Sequence, residues 1–177
     1  MAVINRISEQ EYRELALEES RLELWDGEPR EKPSMSVEHE GVSFYLGHLL
    51  ATQLDRRSYW ISVNGGKARI SGGTYFIPDV IVVPTALVAP LRGDPNALAA
   101  WAEPLLLVVE VWSRTTGAYD FVRKLNAYQA RGDQEIWYIH PYERTLTAWR
   151  RLDNGGYQQF VYTGGIVPLD AIPGVTI

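Results

Sequence analysis

The run Leu105-Leu106-Leu107-Val108-Val109-Glu110-Val111 is the most apolar stretch of the chain, and it carries one carboxylate in its interior. A short, continuous apolar run rich in valine is best satisfied as a central β-strand covered on both faces. Covering it requires a sizeable core, which 177 residues with 46% hydrophobic content can supply as one domain over residues 1–177. Glu110 is the tension in that picture. A carboxylate in an apolar strand must be ion-paired, protonated or bound to metal.

Periodicity and turn signals place the other elements around this strand. Ser8-Glu9-Gln10-Glu11 has the spacing of a capping box and predicts a short helix to about Ser20. Leu22 to Trp25, the turn pair Asp26-Gly27, and Glu28 onward predict a hairpin. A helix is expected over Ser36 to Leu54, with Val42, Tyr45, Leu46, Leu49 and Leu50 as its core stripe. Strand-like runs follow at Tyr59 to Val63, Lys67 to Ile70 and Thr74 to Val83, with Asn64-Gly65-Gly66 reading as a hairpin turn. The proline-punctuated segment from Pro84 to Pro104 reads as a surface excursion. A helix from Tyr119 or Asp120 to Arg131 is capped by Gly132, and strands are expected at Glu135 to His140, Thr145 to Leu152 and Tyr157 to Val161. The class is α+β, built on one mixed sheet.

Charge and cysteine content exclude several chemistries. Without cysteine there is no disulfide framework, thiolate metal site or thiol nucleophile, which favours a reducing, cytoplasmic setting. The net charge of −5 argues against a generally basic nucleic-acid coat, yet it is local: residues 1–40 hold 11 acids and 5 bases, and the remainder is +1. No run has the roughly 18 apolar residues of a membrane span, and no signal peptide is visible at the N-terminus. Gly65-Gly66-Lys67 lacks the phosphate-loop spacing. His39 and His48 are half a turn out of phase on their helix, so they cannot share a metal, and His39 reads as a surface or helix-start residue. Ser113 lacks the context of a serine nucleophile and reads as a loop residue near Glu110.

Three more residues carry candidate chemistry. Asp79, after Pro78 at the mouth of an apolar run, is either a turn or cap aspartate or an acid that requires a cation. With Glu110 it offers hard oxygens of the kind Mg²⁺ or Mn²⁺ takes. Lys124 follows Glu110 by 14 residues, on the flank of a helix stripe formed by Phe121, Leu125 and Tyr128, and either pairs with Asp120 on the surface or reaches the strand ends. Glu23 is either an exposed hairpin glutamate or an acid turned towards the site.

Asp79, then Glu110 in a hydrophobic strand, then Lys124 in the next helix resembles the PD-(D/E)XK nuclease superfamily, whose pattern opens with a Pro-Asp, here Pro78-Asp79. Over nearly the whole chain the closer resemblance is to the Uma-type restriction endonuclease family. It is carried by Glu23-Leu24-Trp25-Asp26-Gly27-Glu28, His39, Pro78-Asp79, Glu110-Val111-Trp112-Ser113, Tyr119-Asp120 with Lys124 and Tyr128, Gly132, and Glu135-Ile136-Trp137. Trp112 stands where the superfamily places its lysine, Arg114 where the family has proline, and His140 where it has aspartate. The resemblance implies a restriction-endonuclease-like α/β/α fold, with a central mixed sheet flanked by helices, and Mg²⁺-dependent hydrolysis of DNA. Asp79 and Glu110 would hold the metal, Lys124 would orient water or stabilise the phosphate, and Glu23 would add a further acid. A catalytically silent module that binds nucleic acid or a protein is the alternative. Homodimerisation is expected by analogy, and modest DNA affinity from a local cluster such as Arg114, Arg123 and Lys124.

Overall fold

The computed structural model describes residues 6–114 and 118–177; the first five residues, residues 115–117 and the side chains of Ala118 and Tyr119 lie outside the described part. Helix α1 (Glu9–Glu18) begins at the expected capping box, where Ser8 Oγ accepts from Glu11 N at 3.2 Å and Glu11 Oε2 accepts from Ser8 N at 2.7 Å. Its buried Tyr12 and Ala16 pack with Leu24 and Tyr75, which docks the helix on the hairpin of β1 (Leu22–Trp25) and β2 (Glu28–Glu31). Asp26 and Gly27 turn that hairpin with positive φ angles of 51° and 84°.

Helix α2 (Val37–Gln53) is capped by Ser36 and ends against Leu54. Its buried face matches the expected one in part: Leu46 and Leu50 are buried and Val42 packs against the core. Tyr45, however, is 63% exposed, whereas His39 and Ser43 point inward with Leu46 and Leu50. Residues 39, 43, 46 and 50 follow the helical period, but two of them are polar, so hydrophobicity alone does not pick out the start of the stripe.

The expected strand over Thr74 to Val83 divides into β5 (Thr74–Phe76) and β6 (Val80–Pro84), which belong to different sheets. The break falls at Pro78, which has no N–H to give a ladder and fixes its own φ. Likewise β3 (Tyr59–Val63) and β4 (Lys67–Ile70) do not form a hairpin: β3 pairs with β6, and β4 with β5. Gly66 lies where the chain crosses between them, and a Cβ there would stand 2.4 Å from Ile81 Cδ1. Instead of one mixed sheet there are two.

After α3 (Thr85–Val88) and a single 3₁₀ turn come β7 (Ala100–Trp101), β8 (Leu107–Val111), α4 (Ala118–Arg131), β9 (Glu135–His140), β10 (Thr145–Arg151) and β11 (Tyr157–Tyr162). The smaller sheet has the order β2-β1-β5-β4-β7 and the larger β11-β10-β9-β8-β6-β3, each with one parallel pair. In the larger sheet β8 is central and buried throughout, as expected.

Alternation along the strands divides the core between two faces. Val80, Val82, Leu107, Val109 and Val111 pack with Leu46 and Leu50 of α2, and Ile81, Val83, Val108 and Ile136 pack with Phe76, Ala68 and Tyr128. Glu110 has the parity of Val108. Its side chain is therefore directed towards α4 and the smaller sheet. Among the described residues no helix is long and apolar enough to cross a membrane.

Candidate active site

Because β6 and β8 are antiparallel, the residue before β6 lies beside the last residues of β8. Val80 is opposite Val109, and Asp79 N donates to Val109 O at 2.9 Å. Asp79 and Glu110 thus meet at one end of the larger sheet, at the C-terminal end of β8, the end at which open sheets commonly carry ligands. Both line a cavity of about 20 Å³ with Lys32, His39, Ser113 and Lys124. That is room for one ion or water.

Asp79 is almost fully buried and accepts from three groups: Lys32 Nζ at 2.6 Å on Oδ1, and Val111 N at 2.6 Å and His39 Nε2 at 3.1 Å on Oδ2. Burial opposes its charge, but Lys32 and His39 outweigh it and hold the carboxyl well below the ordinary range. His39 is therefore a buried site residue, not a surface one. Its Nδ1 is a buried atom without a hydrogen-bond partner.

Glu110 accepts from Tyr128 Oη at 2.6 Å and lies 3.3 Å from Lys124 Nζ. Burial pushes its carboxyl up, Lys124 opposes the rise, and the charge of Asp79 adds to it. Glu23 is buried in β1, against the exposed-hairpin alternative. It accepts from Lys124 Nζ at 2.9 Å, Ile77 N at 2.8 Å and Trp25 Nε1 at 2.8 Å. Burial disfavours its charge, yet Lys124 and the Ile77 amide leave its carboxyl lowered. Lys124 occupies the buried face of α4 itself, and although burial disfavours its charge, Glu110 and Glu23 keep it protonated. Arg114 is exposed, Arg123 lies 4.8 Å over the Trp25 ring, and the His140 ring packs 4.5 Å from Trp112.

The sequence reading gave Lys32 no role. It follows β2, between Glu31 and Pro33, and no periodic pattern singles it out. The β1–β2 hairpin delivers it, since its backbone is held by Lys32 N donating to Arg21 O at 2.8 Å and Arg21 Nη2 donating to Lys32 O at 2.9 Å. A wider cleft of about 110 Å³ adjoins the carboxylates, lined among others by Trp25, Arg30, Glu31, Lys32, Asp120 and Lys124.

As a metal centre the arrangement is sparse. Among the described residues no group of three or more His, Asp or Glu side chains is arranged to hold an ion. Two carboxylates with a cavity for one ion nonetheless fit Mg²⁺, which is commonly held by one or two carboxylates, with waters and phosphate completing its shell.

The model of the Uma2 family, described as putative restriction endonuclease, matches residues 9–177. The chain belongs to this family. A crystal structure of a putative nuclease belonging to DUF820 from Anabaena variabilis ATCC 29413 is similar to this Uma2 chain, with a TM-score of 0.71 and 17% identity. The match covers 92% of this chain and 88% of that one, so the fold is a nuclease-like α+β fold, as the sequence led us to expect. The comparison with curated proteins finds no match.

Proposed function

We propose that this Uma2 chain is a metal-dependent endonuclease that hydrolyses DNA phosphodiester bonds, with Asp79 and Glu110 holding Mg²⁺, or Mn²⁺ in its place. The observation that carries this reading is that Asp79, Glu110 and Lys124, far apart in sequence, line one ion-sized cavity beside an open cleft. When bound, the ion supplies the charge that polarises a phosphate oxygen and lowers the pKa of water. Lys124 Nζ, fixed by Glu23 and Glu110, orients the attacking water or stabilises charge on the phosphate. Glu23 acts through Lys124 and holds it in place. Arg30 lines the cleft and supplies positive charge there, and Arg30 and Arg123 each place a guanidinium within 5.0 Å of the buried Trp25 ring.

A plasmid-nicking assay tests the reading. Nicking that requires Mg²⁺ or Mn²⁺ and falls by at least about 100-fold in Glu110→Ala and Lys124→Ala is expected. Activity that survives both substitutions contradicts the assigned site. A cytoplasmic location and homodimerisation belong to the same reading, and sedimentation velocity checks the second.

One observation favours the silent, nucleic-acid- or protein-binding alternative: every oxygen of Glu23, Asp79 and Glu110 already faces an internal donor. It predicts DNA or protein binding without nicking under any divalent ion, and binding that Lys124→Ala leaves intact.

A further inference from the structure

We infer that Lys32 is a tethered cation seated on Asp79, which a divalent ion must displace to bind. The inference rests on the metal reading of Asp79 and Glu110 and adds a competitor to it. Lys32 Nζ donates to Asp79 Oδ1 at 2.6 Å, Ile77 O at 2.8 Å and Asn64 Oδ1 at 3.2 Å. An ammonium has three donors, so this one is fully satisfied in a cradle of three oxygens, the ligand type a hard cation takes. Through Ile77 the cradle is coupled to the other lysine, because the same residue's N–H binds Glu23, the partner of Lys124.

Charge counting shows why both cations cannot simply stay. Three carboxylates, Glu23, Asp79 and Glu110, already face two ammonium groups, Lys32 and Lys124. A divalent ion adds two positive charges to this buried site, where crowded like charges are expensive. Departure of one ammonium relieves that crowding.

The geometry selects which one leaves. Lys124 bridges two carboxylates, Glu23 and Glu110, from within a helix. Lys32 faces a single carboxylate and, like Lys124, lines both cavities, with Glu31 and Asp120 in the wide one. Its backbone is fixed by Arg21, so a side-chain swing alone carries the ammonium into the cleft, where those two acids can receive it.

Calorimetric titration with MnCl₂ of the full chain tests this, with thermal unfolding of the metal-free protein beside it. Lys32→Met is expected to bind Mn²⁺ at least about tenfold more tightly than wild type, and to melt lower without metal. Unchanged or weaker binding by folded Lys32→Met overturns the inference. Should that variant fail to fold, Asn64→Gly removes one oxygen of the cradle at a position whose φ of 56° suits glycine. About threefold tighter binding is then expected, and unchanged affinity overturns the inference. Failure of the metal reading looks different. If the binding of Lys32→Met survives an added Asp79→Asn, the ion lies elsewhere and both readings fall. If wild type and Lys32→Met bind equally, and Asp79→Asn abolishes both, only the role of Lys32 falls.

Discussion

The larger sheet buries carboxylates at both ends of its central strands, and the two ends are built differently. At the end where β8 and β9 begin, each acid has one arginine: Arg131 grips Asp133 through two nitrogens at 2.7 and 3.0 Å, and Arg150 Nε binds Glu135 at 3.1 Å. Those acids also tie down backbone, Asp133 accepting from Leu105 N and Glu135 from Ala171 N. At the opposite end Asp79 and Glu110, joined by Glu23 from the smaller sheet, share two lysines, and Asp79, Glu110 and both lysines line the ion-sized cavity. Burial of charge is common to both ends, so it does not by itself mark function. What separates them is that Asp79 and Glu110 face a space an ion can enter.

The comparison breaks if the ends respond alike to substitution. Arg131→Ala leaves Asp133 buried without its cation, and a loss of about 3–5 kcal/mol of stability is expected in chemical denaturation, with Mn²⁺ affinity of the folded protein unchanged. Lys124→Gln should act on chemistry, lowering nicking by about 10²–10³-fold, and a loss of nicking in Arg131→Ala beyond its unfolded fraction would erase the distinction. The pH dependence sharpens it further. Asp79 and Glu23 have carboxyls held below their ordinary values of 3.8 and 4.5, so the unfolded chain binds more protons. The stability they contribute is full above those values and is lost as pH falls through the folded ones, below about pH 4. Asp133 is raised by burial, with Arg131 opposing, so its contribution runs the other way and is lost as pH rises past 3.8. Asp79→Asn should therefore flatten the acid limb of a stability-against-pH curve. An unchanged acid limb would show that the Lys32 pairing contributes nothing. The smallest effect is expected of Tyr128→Phe, which strips one donor from Glu110 and should cost about 1–3 kcal/mol, with weaker Mn²⁺ binding.

Much of this arrangement was legible in the sequence because strand and helix periods are local. The apolar run around Glu110, the Pro78-Asp79 pair and the helix bearing Lys124 each stand out within a dozen residues, and their order carried the family resemblance. What the sequence did not show depends on how distant segments dock. Lys32 reaches Asp79 across 47 positions only because the β1–β2 hairpin joins β5 through Leu24 and Tyr75. His39 stands at the helix start as expected, but its surface reading failed for a related reason: a polar residue on a buried helix face lowers the apolar signal that would reveal the face. The division into two sheets turned on Pro78 and Gly66, whose effects are steric and appear only when the strands are in place.

Anomalous diffraction from a crystal soaked in Mn²⁺ tests the central assignment most directly. The expected result is one peak between Asp79 and Glu110, within about 2.0–2.6 Å of an oxygen of each, with Lys124 still beside Glu110 and Lys32 moved off Asp79. A peak elsewhere, or none with both lysines still on their carboxylates at saturating Mn²⁺, would contradict it.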